Sequence, residues 1–352
     1  MLLLLCPRCS SILLLESLSC PACGREVAFE PAALTMRAVD DDGSVPGDDS
    51  LSCCANRVWG CNWLVPQEAE SARCVACRLI RRRPDADDTL AMEKLAAASQ
   101  VERRLLVQLA ELRLPVEPWF RTEGGLAFDL LSSRSGQGPV TIGHAGGVVT
   151  IDLAETLDDH REALRVRLGE AYRTMLGHFR HEIGHYYEWK LVEQGPLIEE
   201  ARALFGDERQ SYADALARHY RYGSPDNWEE TFISEYATMH PWEDFAECFA
   251  HYLHISDVMS TAAVGGMTLR PEPIAGRQDA AVVPRASYPE DGFDDMMDDW
   301  HWVSLLFNRV NRAMGKDDLY PFDIVEPVRR KLAFVHRVVR GSASGTAVPV
   351  LS

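Results

Sequence analysis

Residues 178–189 read HFRHEIGHYYEW, with three histidines and one glutamate in the first eight positions. The surrounding residues, from YRTML before to YYEW at the end, favour a helix. On a helix His181 and His185 are four apart and share a face, one turn above the other. Both imidazoles then reach one zinc ion at roughly 2.0–2.1 Å. Glu182 adjoins the first of them and projects to the side where a water would be activated. This His-Glu-x-x-His arrangement serves metal-assisted hydrolysis, in which the metal acidifies water and the carboxylate accepts its proton. Gly184 costs about 1 kcal/mol relative to Ala in a helix interior, so its presence predicts close approach by substrate or by another backbone. His178 lies on the same face one turn earlier and reads as a packed or supporting histidine rather than a ligand.

A catalytic zinc takes a third protein ligand. In the pattern HExxHxxGxxH a glycine and a third histidine follow, but those positions hold Glu188 and Leu191 here, which argues against that class. A carboxylate from a later helix remains. The stretch SEYATMHPWEDFAECFAHYLHI (234–255) supplies Glu243 and Glu247, four apart on one face just after Pro241, a residue suited to a first helical turn. One can bind zinc while the other holds a ligand histidine by its second ring nitrogen; these residues alone do not rank them. Phe245 and Phe249, without neighbouring Lys or Arg, speak against a solvated acidic face.

Nine of the ten cysteines precede residue 78, and only Cys248, read as a core residue, lies beyond. Cys6-x2-Cys9 and Cys20-x2-Cys23 are two CPxC knuckles that suit tetrahedral zinc, which stabilises a segment too small for a large core. Cys54, Cys61, Cys74 and Cys77 form a less regular second set, in which Cys53 can replace Cys54. These clusters define a zinc-ribbon module over residues 1–82, followed by a second domain over 83–352. The run Arg78, Arg81, Arg82 and Arg83 reads as a solvated face.

The chain has 352 residues, 46% of them hydrophobic, and a formal net charge of −17. Residues 1–84 carry nine Arg against ten Asp plus Glu, so the acidic excess lies beyond them and disfavours nucleic acid as a partner. No apolar run approaches the roughly 18 residues that a membrane span requires. The opening MLLLLC has no basic flank and runs into a Cys-x-x-Cys pair, so it does not read as an export signal. A cytoplasmic setting is expected, where paired cysteines hold metal rather than form disulfides.

Helical periodicity covers residues 90–112, and helices are expected near 160–192, 197–222, 229–256, 294–314 and 324–340, with irregular chain over 262–292. The segments GLAFDLL and GVVTIDL (147–153) read as strands; the second, if at a sheet edge, can pair with an extended peptide. The expected class is α+β: a zinc-ribbon module, then a mainly helical zincin-like domain with a small β-sheet.

With CPRC…CPAC, CNWLVP, CVACRL, LGHFRHEIGHYYEW and HPWEDFAECFAHYLH, the chain resembles the zinc-binding bacterial metallopeptidases that carry an N-terminal zinc ribbon. These stretches run from residue 6 to about 254. Similarity to the wider gluzincin group, with two histidines and a glutamate, implies Glu243 as third ligand and Glu247 as its support. It also implies Tyr236 as hydrogen-bond donor to the oxyanion, a place His240 could fill unless it only caps the helix. The Gly-x-Met-x-Asn element of gluzincin aminopeptidases is missing, which speaks against that exopeptidase activity. The expectation is a zinc metallopeptidase with one catalytic and two structural zinc ions. It acts on a peptide or protein substrate, and a protein partner docks through the ribbon. Its rivals are an inactive zinc-ribbon scaffold and a zinc hydrolase of a non-peptide amide.

Overall fold

The first two Cys-x-x-Cys knuckles each reverse the chain and let their flanks pair. The computed structural model describes residues 2–133, 140–153, 174–270 and 281–343, and the chain forms two compact units, residues 2–160 and 161–345. In the first, β1 (Leu4–Leu5) and β2 (Ile12–Leu13) pair antiparallel about the Cys6–Cys9 knuckle. Next come the hairpin of β3 (Val27–Glu30) with β4 (Thr35–Ala38), then an antiparallel sheet of β5 (Ser44–Val45), β6 (Asp48–Cys53) and β7 (Leu64–Pro66). Ala28, Val39, Val45 and Leu64 form a small buried core. Beside it the rings of Phe29 and Trp63 lie 5.6 Å apart.

The last knuckle opens a short helix, α1 (Val75–Leu79), which runs into β8 (Ile80–Arg82). Then α2 (Thr89–Glu111) follows the apolar period read from the sequence, its first turn capped by the Asp88 carboxylate accepting from Ala91 N at 2.9 Å. The strands β9 (Ala127–Leu131), β10 (Gly143–Ala145) and β11 (Val148–Asp152) join β8 in the order β10-β11-β9-β8. The strand β11 is therefore not an edge: it pairs parallel with β9 and antiparallel with β10. Both its backbone rows are occupied, which overturns the expectation that it can accept an extended peptide. The arginine run is exposed at Arg81, Arg82 and Arg83, as expected, and half-buried at Arg78. Arg81 grips Asp129 with two hydrogen bonds of 3.0 and 2.7 Å, and Arg78 stacks over Phe120 at 3.8 Å.

In the second unit α3 (Met175–Tyr187) begins at Thr174, whose Oγ1 accepts from Gly177 N at 3.0 Å, and ends in a π-helical turn at Glu188–Glu193. Residues 160–173, read as helix, lie outside the described residues. After it come α4 (Ile198–Phe205), α5 (Tyr212–Tyr222), α6 (Pro241–Val264), α7 (Phe293–Ala313) and α8 (Glu326–Ala343). The helix expected over 197–222 is broken at Gly206, whose φ of +105° suits only glycine. The one expected over 229–256 starts at Pro241, because His240 is extended (φ −153°, ψ 151°), as the residue before a proline prefers. Two 3₁₀ turns precede it, at Trp228–Glu230 and Tyr236–Thr238.

The axis of this unit is α6. Its Phe245 ring lies 5.4 Å from that of Phe205 and 6.1 Å from that of Phe249, and Phe249 stacks on Tyr187 of α3 at 5.5 Å. Burying each such ring stabilises by about 1.5–3 kcal/mol. At Gly184 the backbones of α3 and α6 touch: a Cβ there would stand 2.9 Å from Ala246 Cα. This is the close backbone approach that the glycine predicts. No described helix is long and apolar enough to cross a membrane. The fold is α+β, an N-terminal zinc ribbon followed by a mostly helical part with small sheets.

Candidate metal centre

The contact of α3 with α6 brings the histidine motif and the two carboxylates together. His181 Nε2 lies 2.9 Å and His185 Nε2 3.4 Å from the same oxygen, Glu243 Oε2. One donor atom from each of these residues lies within 4.8 Å of the other two. Tetrahedral bonds of roughly 2.0–2.1 Å put neighbouring donors about 3.3 Å apart, so the three fit one zinc ion. The remaining positions on His181 and Glu243 are tied down. His181 Nδ1 donates to Glu247 Oε1 at 2.6 Å, whose Oε2 accepts from Ser234 Oγ at 2.6 Å. Tyr212 OH donates to Glu243 Oε1 at 2.8 Å. With Nδ1 committed to a carboxylate, the lone pair of Nε2 is directed at the ion.

Glu182 is buried, with Oε1 3.3 Å from His178 Nε2. Its Oε2 is also buried and receives no hydrogen bond from the protein. A buried oxygen left in this state calls for a partner from outside the chain, and water is the smallest. The Tyr236 ring lies 5.7 Å from that of His181. The Trp242 ring lies 6.5 Å from that of His185, and its Nε1 donates to Glu193 Oε1.

Burial opposes charge on His181, Glu243 and Glu182, and their neighbours act against it. Burial pulls His181 down, but its bonds to Glu243 and Glu247 outweigh this and hold the ring well above its usual range. Burial pushes Glu243 up, and the charge of His185 with the bond from His181 holds it well below the carboxylate range. Glu182 is likewise pushed up by burial and brought below its ordinary value by His178, His181 and His185. Burial raises Tyr236 well above the usual phenol, so it keeps its proton. Two imidazoles and an ionised carboxylate form a nitrogen and oxygen donor set that suits zinc.

The two cysteine groups lie in the first unit. Sγ–Sγ distances are 3.7 Å for Cys6–Cys23, 3.6 Å for Cys9–Cys20 and 3.6 Å for Cys61–Cys74. Zinc bonds of roughly 2.3 Å place tetrahedral sulfurs about 3.8 Å apart, so both groups have the size that zinc requires. Cys54 belongs to the second group with Cys61, Cys74 and Cys77, whereas Cys53, the last residue of β6, does not. Adjacent residues of an extended chain point to opposite sides, so only one of the pair can enter.

Residues 91–338 match the family described as "Putative zinc-binding metallo-peptidase". The chain belongs to that family. Residues 3–88 match a zinc-ribbon domain. Uncharacterized proteins of Mycobacterium bovis and of two Mycobacterium tuberculosis strains, CDC 1551 and H37Rv, are similar throughout. Each is 42% identical over 341 residues, which is 95% of this chain and 94% of theirs. No solved structure matches the chain. Zinc as the metal thus rests on the family and on the two four-cysteine groups.

Of the residues read from the sequence, His181, His185, Glu182, Glu243, Glu247 and Tyr236 all converge. His240 caps α6: its Nδ1 accepts from Trp242 N at 3.1 Å, and its Nε2 is 3.1 Å from Gln210 O. Cys248 is a core residue. His251 and His254 are buried and engaged elsewhere, with Tyr320 at 2.7 Å and Arg180 at 2.7 Å. Sequence reading missed Tyr212 and Ser234. Each supports a carboxylate on another element, and no local spacing announces such a contact.

Proposed function

We propose that the chain is a zinc metallopeptidase that hydrolyses peptide bonds, with His181, His185 and Glu243 as ligands of the catalytic zinc. Bound there, zinc supplies Lewis acidity, which polarises the scissile carbonyl and makes water acidic enough to attack it near neutral pH. Glu182 takes the proton of the attacking water at Oε2 and returns it to the leaving amine nitrogen. Tyr236 donates from its hydroxyl to the carbonyl oxygen as that oxygen gains negative charge. Glu247, held by Ser234, fixes the orientation of the His181 ring, and Tyr212 fixes the carboxylate plane of Glu243. The observation that carries this reading is the buried, unpartnered Oε2 of Glu182 beside three converging donor atoms.

Glu182→Gln keeps the shape of the side chain but cannot accept a proton. It should retain zinc while peptide cleavage falls by about 10²–10⁴, the usual contribution of a general base. Cleavage of a random peptide pool at the wild-type rate by this variant would end the assignment.

A further inference from the structure

The first unit holds a second chemical feature. A cleft open to solvent lies against the second four-cysteine group and is lined by Arg73, Arg83 and Arg103, with Trp59 and Met92 among its apolar walls. Arg103, on α2, is only 2% exposed. Its Nη2 donates to Gly60 O at 3.2 Å, while its Nε is buried and finds no partner. A guanidinium carries five N–H donors, and burying it with donors unused is costly. Among the described residues the side chains of Arg73 and Arg83 make no ion pair, whereas Arg78, Arg81 and Arg82 beside them are matched to Glu70 and Asp129.

Two negative groups could answer this charge, and neither does so fully. Cys61 and Cys77 line the cleft, but their sulfurs turn to the other cysteines of their group, and none bonds to Arg103 Nε. Glu102, next to Arg103 on α2, is fully buried with both oxygens unpartnered. Burial pushes its carboxyl well above the usual range, against the pull of Arg103, and neither oxygen bonds to the guanidinium. Three guanidinium groups and a half-exposed indole, 49% accessible, therefore face one concavity.

We infer that this cleft binds an oxyanion, a phosphate or a carboxylate, carried on an aromatic or apolar group. Planar guanidinium forks match both anions with paired charge-assisted hydrogen bonds, and Trp59 and Met92 offer a surface for the ring. The inference is independent of the peptidase reading, since no residue is shared.

Calorimetric titration of the full zinc-loaded chain with phenyl phosphate, benzoate and benzyl alcohol tests it. At least one anion should bind with salt-sensitive affinity while the neutral alcohol does not, and the tighter anion identifies the natural group. The double variant Arg73→Gln/Arg83→Gln changes two exposed side chains, so its zinc content and melting temperature should match wild type. Its anion affinity should drop at least about tenfold, as expected for loss of charge-assisted bonds. The inference fails if neither anion binds up to about 10 mM, beyond the weakest specific affinities, or if the double variant binds equally well. It fails equally if benzyl alcohol binds as tightly as the anions.

Discussion

Tyr212 stands 31 residues before Glu243 in the chain and donates to its Oε1 at 2.8 Å. Removing such a support from a metal ligand typically costs 10–100-fold in affinity. Tyr212→Phe should weaken zinc binding at the histidine site by about that factor, read by competition with a chelating dye, while the four-cysteine sites keep their metal. Glu102 gives a prediction of another kind. Burial raises its carboxyl well above the usual range in the folded chain, whereas an unfolded Glu titrates near 4.3. Between those values the folded chain holds a proton that the unfolded chain has released, so this residue's contribution to stability falls as pH rises. Glu102→Leu should therefore melt higher than wild type, by the equivalent of about 1–3 kcal/mol at pH 8.5, with a smaller gap at pH 6. A gap that widens on acidification would show the opposite sign.

The centre depends on how closely α3 and α6 approach. Gly184→Ala gains helix propensity of about 1 kcal/mol but puts a methyl 2.9 Å from Ala246 Cα, and overpacking costs about 1–3 kcal/mol. The variant should melt below wild type and lose zinc faster, because separating the helices draws Glu243 away from the histidines. On its other side α6 is anchored by Lys331 of α8, whose Nζ sits 2.6 Å from Asp244 and 2.9 Å from Thr231 O. Burial pushes the Asp244 carboxyl up to about 7, against the pull of Lys331. Lys331→Met strands this buried acid and should cost about 3–5 kcal/mol, most of it recovered when Asp244→Asn is added. Denaturant unfolding of the two variants checks this; equal losses in both would mean that Lys331 acts through packing alone.

Three zinc ions per chain are predicted, two in the first unit and one in the second. Structural thiolate sites are closed, whereas a catalytic site keeps a position open to solvent and chelators. Mild chelation followed by elemental analysis should thus remove one equivalent first, with far-UV circular dichroism almost unchanged. Harsher chelation should then unfold the first unit, whose small core depends on metal, and leave most of the helical signal. The family matches meet near residue 90, within the first compact unit, so one family profile spans both units.

Much of the centre was legible because its chemistry is local. Four-residue spacing places His181 and His185 on one helical face, and two-residue gaps pair the cysteines, in any fold that forms those elements. Gly184 announced a close backbone contact for the same reason, since a residue unfavourable to helices needs a steric cause. What spacing could not supply was every choice between equivalents. Glu243 rather than Glu247 turns an oxygen to both imidazoles, Cys54 rather than Cys53 joins the four thiols, and β11 lies inside its sheet. Tyr212, Ser234 and the unpaired guanidinium of Arg103 belong to the same class. These depend on which side of an element faces a partner far along the chain, and long-range packing sets that direction.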